Sequence, residues 1–528
     1  MKQRVLALLN SSIQREIVLE KPRDRSFGHF ATPIAFAMAK ELKKSPMIIA
    51  SELVDLFSKD EMFANVEAVK GYLNFKLSED FLDEYASWAL ANPQDFGRGT
   101  ESSRILLEFV SANPTGPLHI GHARGAVYGD TLLRLGRHLG HDITAEYYVN
   151  DAGNQIELLG TSLMLEGQAN ILGLKVEYPE NYYRGEYLTV LAKIAANKYG
   201  KDVFTDAEKI KEVALWAKDE VLEMIVKDLD AINVHFDTFV SESGLYEDWD
   251  RVMDKLKASG GVTEIDGKQW LQSSLKGDEK DRVVVREDGR PTYLAGDIIY
   301  HNQKFERKYD EYINIWGADH HGYIARVKAS ANFLGHDDNK LDIQLTQMVS
   351  LLKDGEPYKM SKRAGTVIGM NDIVEEIGSD ALRFMFASKK SDTALEFDLE
   401  DLKKTDSSNP VFYVNYANAR IQTLLSKSEL THEQIMAASL KGLGYDADNL
   451  LFEAMLLNEV VEDAFNSRQV QKLTDYLKGL ASTYHKYYYD HKVIGTEDEA
   501  KTLKLFLVVA LSIKTGLSLL GITAKDRM

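Results

Sequence analysis

Twelve consecutive residues, Ser111-Ala112-Asn113-Pro114-Thr115-Gly116-Pro117-Leu118-His119-Ile120-Gly121-His122, hold the densest chemistry in the chain. Two prolines and Gly116 impose a tight turn directly after the apolar run RILLEFV. His119 and His122 then lie three apart, so on the first turn of a helix their imidazoles share one face. A helix amino terminus offers free N–H groups and positive potential, which suits phosphate. Gly121 leaves backbone bare between the histidines, where a flat base could lie.

The second reactive tract is Lys359-Met360-Ser361-Lys362-Arg363, with Gly355 before it and Gly365 after it. Three cations in five residues, bracketed by glycines, predict a loop able to close over a polyphosphate, lysines acting as movable point charges. Either tract alone also fits a structural turn. Only the two together, in this order, single out nucleotide chemistry.

The elements that must position these tracts follow from pattern. Strand, Gly-containing loop, helix (AVYGDTLLRLGRHLG) and strand (ITAEYYV) form a βαβ unit of a parallel sheet, whose ligands bind at the carboxyl ends of its strands. Residues from about 155 to 235 read as helical, RVVVREDGRPTYL as a hairpin turning at Asp288-Gly289, and YINIWGAD as a return to the sheet. The expected fold class is α/β with three domains: a small α+β unit over 1–100, the parallel-sheet unit over 101–400, and an all-helical bundle over 401–528. Within the first, Ile34, Ala37, Met38 and Leu42 predict a helix ended by Pro46, and VKGYLNFKLS predicts a strand. Leu473, Leu477, Leu480 and Tyr484 form one stripe in the bundle, and LKLFLVVALSIKTGLSLLG, broken by Lys504 and Lys514, reads as a buried core helix rather than a membrane span.

Composition narrows the chemistry further. With 528 residues, 44% apolar and 27% charged, the balance is globular. There is no cysteine, so disulfides, thiolate catalysis and Cys-ligated metal sites are excluded, and a reducing cytoplasm is the expected compartment. A formal charge of −18 is the wrong sign for blanket attraction to nucleic acid, yet the stretch 410–528 holds 13 Lys and Arg against 14 Asp and Glu. Any polyanion must therefore meet local basic surfaces.

The first tract matches the HIGH motif, and the second the KMSKS motif with Arg363 in place of the last serine, of class I aminoacyl-tRNA synthetases. Further runs resemble arginyl-tRNA synthetases: GHARGAVYGD, Tyr148-Val149-Asn150-Asp151-Ala152-Gly153-Asn154-Gln155, Thr292-Tyr293-Leu294-Ala295-Gly296-Asp297, Asp380-Ala381-Leu382-Arg383 and NPVFYVNYANAR from Asn409. The resemblance spans essentially the whole chain. It implies a Rossmann-like catalytic domain, an amino-terminal addition that contacts the tRNA elbow, and a helical anticodon-binding module named for Asp-Ala-Leu-Arg.

By that resemblance, ATP and Mg²⁺ meet Pro114, Thr115, Gly116, His119, Gly121, His122, Lys359, Met360, Ser361 and Lys362, with His119, His122, Lys359 and Lys362 catalytic. Asn113 would hold the α-amino group of arginine, Tyr293 would form a pocket wall and Asp297 would pair with the guanidinium. His320 stands where the family has a glutamine lining the site, and a second carboxylate falls to either Asp142 or Glu146. A guanidinium never loses its charge, so a buried pocket for it requires carboxylates and planar acceptors.

In the bundle, Tyr413, Tyr416, Tyr484 and Tyr488, with neighbouring Tyr487 and Tyr489, are candidates to stack on unpaired bases of tRNA(Arg), and Lys486 and Lys492 to meet its phosphates. The expected partners are tRNA(Arg), L-arginine and ATP; no membrane and no structural metal are expected, and the family is usually monomeric. A cysteinyl enzyme shares the helical module, but the lack of cysteine argues against it. A synthetase-like RNA-binding protein without catalysis is disfavoured by the intact HIGH and KMSKR tracts.

Overall fold

The computed structural model describes residues 1–22, 24–358 and 368–528. Strands β1 (Phe30–Thr32), β2 (Phe63–Val69) and β3 (Tyr72–Leu77) form an antiparallel sheet in the order β1-β3-β2. The β2–β3 turn uses two left-handed residues, Lys70 (φ 52°) and Gly71 (φ 88°), whose twist matches that of the strands. Leu73, Phe75 and Leu77 bury against the helices Ile34–Leu42 and Pro46–Phe57. Pro46 does not end the first helix as expected. That helix stops at Leu42, with Lys43 left-handed, and Pro46 opens the next behind its Ser45 cap, where a missing N–H costs nothing.

Strands β4 (Arg104–Glu108), β5 (Asp142–Val149), β6 (Thr238–Ser241), β10 (Glu311–Gly317) and β11 (Leu341–Thr346) build a five-stranded sheet, every pair parallel, in the order β11-β10-β4-β5-β6. The chain works outward from β4 in both directions, so the switch point lies where β4 meets β10. The helix Ile120–His138 makes the β4–β5 crossover, and the β5–β6 connection runs through helices Asn154–Asn170, Glu186–Tyr199 and Ile210–Ala231.

The expected hairpin takes a different form. Strands β7 (Val262–Ile265), β8 (Lys268–Leu271) and β9 (Arg282–Val285) make a small antiparallel sheet in which β9 ladders onto β8. The Asp288-Gly289 turn forms, with Gly289 N donating to Arg286 O at 3.0 Å, but its return arm contributes a single bridge, Val285 with Pro291. Arg286 N donates to Arg290 O and Thr292 N to Val284 O, and the arm then ends because Thr292 caps the helix Tyr293–Glu306.

Strands β12 (Val349–Lys353), β13 (Glu356–Pro357) and β14 (Leu395–Asp398) form another small sheet. From Pro410 onward, helices Pro410–Lys427, His432–Ala437, Tyr445–Ala454, Leu457–Asn466, Gln471–Asp490 and Glu499–Leu519 pack as a bundle. Leu473, Leu477, Leu480 and Tyr484 are all buried, and so is Lys504, whose ammonium reaches Asp83, Ser87 and the Ala438 carbonyl.

Arg383 ties the bundle to the sheet domain. Fully buried, it donates to the Leu520 and Ile232 carbonyls at 2.5 Å each and pairs with Asp130 on helix Ile120–His138. Gly521 has φ +71°, and a Cβ there would stand 2.4 Å from the guanidinium, so the chain passes close above Arg383 only because that residue is glycine.

Candidate active site

Beyond β4 the chain bends through two left-handed residues, Val110 (φ 68°) and Ser111 (φ 43°), an unfavourable conformation for a β-branched side chain. The turn is held by Ser111 Oγ, which donates to Glu108 Oε1 at 3.0 Å and accepts from Tyr148 N at 3.1 Å. Tyr147 Oη donates to the Ala112 carbonyl at 2.7 Å, and Tyr187 Oη to that of Thr115 at 2.7 Å. Gly116 is packed under the Tyr187 ring: a Cβ would lie 3.4 Å from its hydroxyl. Pro114, Thr115 and Gly116 thus form a braced turn, and Asn113 sits within it, its carbonyl accepting from Thr115 N at 2.8 Å.

The turn delivers His119 as N-cap of helix Ile120–His138. The two imidazoles stack with centroids 3.6 Å apart. Gly121 N donates to His119 Nδ1 at 3.1 Å, and His119 N donates to His122 Nδ1 at 3.3 Å. With both Nδ1 atoms accepting, each neutral ring carries its proton on Nε2. Burial lowers both pKa values; His122, next to His119 as well, falls to about 4. At neutral pH the pair therefore presents two Nε2–H donors without charge.

Lys359, Met360, Ser361 and Lys362 lie outside the described residues. The chain beyond them is placed on the histidine turn: Gly369 bridges His119 antiparallel, Ile120 N donates to Ile368 O at 3.1 Å, and Met370 N donates to Leu118 O at 2.9 Å. Arg124, buried on the histidine helix, donates to the carbonyls of Gln347, Met348, Lys390 and Thr393 and so fixes the approach to β12.

Carboxylates gather near the start of helix Tyr293–Glu306. Asp297 is partly accessible, and burial, with Glu242 and Glu108 next in effect, pushes its carboxyl up to about 7. Glu242 is buried; Oε1 accepts from Tyr246 Oη at 3.1 Å, while Oε2 has no partner among the described residues. Burial also raises the Glu242 carboxyl and the phenols of Tyr148 and Tyr246 around it. Glu108 is neutralised by buried Lys304, which also donates to Asn314 at 2.8 Å. The Lys304 charge also draws the Asp297 carboxyl down, by less than burial and the two glutamates raise it. Gly296 makes room for Glu242, since a Cβ would come within 2.7 Å of Oε1. Tyr293, 53% exposed, stands against Gly153.

Neither carboxylate expected to join Asp297 does so. Glu146 is fully buried but already held by Arg307 and by Tyr300 Oη at 2.8 Å, and Asp142 is exposed at the start of β5, 3.8 Å from Arg104. Glu242 takes that place. It follows β6, at the carboxyl end of a parallel strand, and its backbone is pinned by Asp151, which accepts from Ser241 Oγ and, at 2.9 Å, from Ser243 N. The flanking sequence, Ser-Glu-Ser-Gly, carries no signal beyond that strand end.

His320 follows β10 on the turn Ala318–Tyr323, its side chain more than half exposed, with Nε2 3.6 Å from Asp319. In the bundle, Tyr484 is a correction: it is core, edge-on to Phe506 at 4.9 Å, because the stripe that buries Leu473, Leu477 and Leu480 includes it. Tyr487 is buried too. Tyr413 and Tyr416 instead line, with Phe412, Arg420 and His485, a cleft of about 450 Å³. Arg420 lies over the rings of Tyr416 and Tyr488, and Tyr489 is 89% exposed.

The chain matches three family models: tRNA synthetases class I (R), catalytic domain, over residues 87–423; DALR anticodon binding domain over 414–528; and Arginyl tRNA synthetase N terminal domain over 2–77. It is 68% identical to the arginine–tRNA ligase of Sulfurimonas denitrificans over 522 residues, 99% of either chain. Identity is 60% to that of Nitratiruptor, over all of both chains. A crystal structure titled as an arginyl-tRNA synthetase from Campylobacter jejuni, 57% identical, superposes with a TM-score of 0.83 over 86% of this chain and all of that one. The Thermus thermophilus arginyl-tRNA synthetase, 22% identical, shares the fold along both whole chains at a TM-score of 0.77.

Proposed function

The chain belongs to the arginyl-tRNA synthetases of class I, and from that premise we propose how its residues divide the work. The enzyme activates L-arginine with ATP and transfers it to the terminal ribose of tRNA(Arg). In the first step the arginine carboxylate attacks the α-phosphorus, and pyrophosphate leaves. In the second, the 2′-hydroxyl of the terminal adenosine attacks the acyl carbon, and AMP leaves. No protein nucleophile is needed.

The proposed assignment gives the triphosphate to the Nε2–H groups of His119 and His122 and to Lys359 and Lys362, with Met360 and Ser361 adjoining. Donors aimed where charge develops act electrostatically, without reorganisation. Pro114, Thr115 and Gly116 hold that turn, and Gly121 leaves the helix start open to the nucleotide. Mg²⁺ would arrive with ATP and neutralise phosphate charge; among the described residues no group of three His, Asp or Glu side chains is arranged to hold it independently.

The guanidinium goes to Asp297 and Glu242, with Tyr293 as a wall and Asn113 near the α-amino group. The nearness of Asp297 and Glu242, both carboxyls raised by burial and the first also by the charge of the second, is the observation that favours a cationic side chain such as that of arginine. A neutral impostor leaves that charge unpaired, which discriminates without an editing site. Tyr413, Tyr416 and Tyr488, gathered around Arg420, are the proposed contacts for anticodon-loop bases, with Lys486 and Lys492 for phosphates. We take residues 1–100, 101–400 and 401–528 as the three working units, in a monomer of the cytoplasm. Pyrophosphate exchange with each amino acid, run with and without total tRNA, tests the assignment. Activity confined to arginine supports it, and exchange with another amino acid refutes it.

A further inference from the structure

One carboxylate of helix Ile210–Ala231 reaches out of its own element to both sides of the phosphate site. Asp228 is buried; one oxygen accepts from the Leu118 backbone N–H at 3.1 Å, the other from the Asn371 amide at 2.5 Å. Leu118 immediately precedes His119, and Asn371 follows Gly369 by two residues. The same two segments already exchange backbone hydrogen bonds through Met370 N, Leu118 O, Ile120 N and Ile368 O. Asp228 therefore closes a ring of contacts that includes the histidine cap and the start of helix Met370–Ile377.

We propose that Asp228 is a positioning residue for adenylate formation: it fixes the angle between the histidine turn and helix Met370–Ile377, and so the direction of the two Nε2–H donors. This rests on reading His119 and His122 as phosphate donors. Two features favour it over a packing role. The carboxylate spends both oxygens on segments outside its own helix, although burial makes its charge costly and raises its pKa. A second brace, Tyr187 on the Thr115 carbonyl, comes from the neighbouring helix Glu186–Tyr199. The helices between β5 and β6 thus serve as scaffold for the turn that carries the histidines.

The test is steady-state aminoacylation of total tRNA by the full chain, with KM for arginine and for ATP measured separately. Asp228→Ala removes both acceptors, and kcat falls at least tenfold while KM for arginine stays within twofold, because Asp297 and Glu242 are untouched. Asn371→Asp sets two carboxylates together and acts in the same direction. The double variant Asp228→Asn/Asn371→Asp reverses the polarity of the side-chain pair, keeps an acceptor for Leu118 N, and restores kcat to within threefold. His119→Ala, run alongside, reports on the phosphate reading itself. If His119→Ala lowers kcat a hundredfold while Asp228→Ala and Asn371→Asp leave it within twofold, the positioning role is overturned. It is overturned equally if a folded double variant stays as slow as the single ones. If His119→Ala changes nothing, the phosphate reading fails first.

Discussion

Gly369 pairs with His119 in one antiparallel bridge, so the chain leaving the Lys359–Lys362 segment lands on the cap of the histidine helix. These residues are 250 positions apart in sequence. The bridge sets Gly369, seven residues after Lys362, against the backbone of the residue that caps the histidine helix.

His119→Ala and His122→Ala should each depress kcat strongly. Removing one preorganised donor from a developing oxyanion costs roughly 10²–10³ in rate. The stacked geometry makes the two rings interdependent, since His122 Nδ1 is held by the backbone N–H of His119. Steady-state aminoacylation at saturating arginine reads the effect, and a loss under fivefold in both variants contradicts it.

Asp297→Asn should act on arginine and spare ATP. Breaking a buried ion pair by removing one partner costs about 3–5 kcal/mol. KM for arginine then rises by about two to three and a half orders of magnitude, with KM for ATP nearly unchanged. Glu242→Gln should follow the same pattern. Asp142→Asn, at the exposed start of β5, should leave both constants near wild type.

Much of this site could be read along the chain, and the remainder shows what sequence withholds. Pro114, Gly116 and the histidines are a contiguous tract whose turn chemistry is local, and Tyr293 and Asp297 share a helical face one turn apart. Glu242 enters through β6, about ninety residues beyond the strand that it joins. Only sheet order brings it to Asp297, and nothing near it marks it as different from Glu146. Glu146 looks equally suitable until Arg307 is seen to occupy it. Tyr484 was ambiguous because an aromatic at helical spacing serves a core as readily as a base stack. The arm after Asp288-Gly289 stops at one bridge because Thr292 already caps the helix that carries Tyr293 and Asp297.

Arginine binding should tighten as pH rises toward 7. In the free protein the Asp297 carboxyl titrates at about 7, so below that pH it is largely protonated, while the guanidinium requires its anion. Affinity then gains up to about tenfold per pH unit below 7, flattens above, and binding releases a proton. Without ligand the sign for stability is opposite: the raised pKa stabilises most below its ordinary value of 3.8, and that contribution is lost as pH climbs through 7. Calorimetry in two buffers of different ionisation enthalpy measures the released proton, and Asp297→Asn should abolish it. A flat affinity from pH 6 to 8 contradicts the assignment.

Acid should weaken the fold through buried neutral histidines. Burial lowers His29, His122 and His138 from 6.5 to about 4, and His301 to about 3. The unfolded chain takes up protons near pH 6.5 that the folded chain refuses, so stability falls as pH drops from 6.5 toward 4. The slope reaches about 1.4 kcal/mol per pH unit for each histidine. His29→Gln keeps an acceptor for Leu77 N, now on His29 Nδ1 at 2.9 Å, and should shrink the Tm difference between pH 7 and pH 5. An unchanged difference would remove His29 from this set.

Joint action of the two tracts on a single triphosphate is tested most directly by a double-mutant cycle between His119→Ala and Lys362→Ala, read as kcat for aminoacylation. Residues stabilising the same charge in one transition state lose much of their effect when the other is absent. The double variant is expected to be at least tenfold faster than the product of the single losses predicts. Losses that multiply independently, with no coupling between these positions, would contradict it.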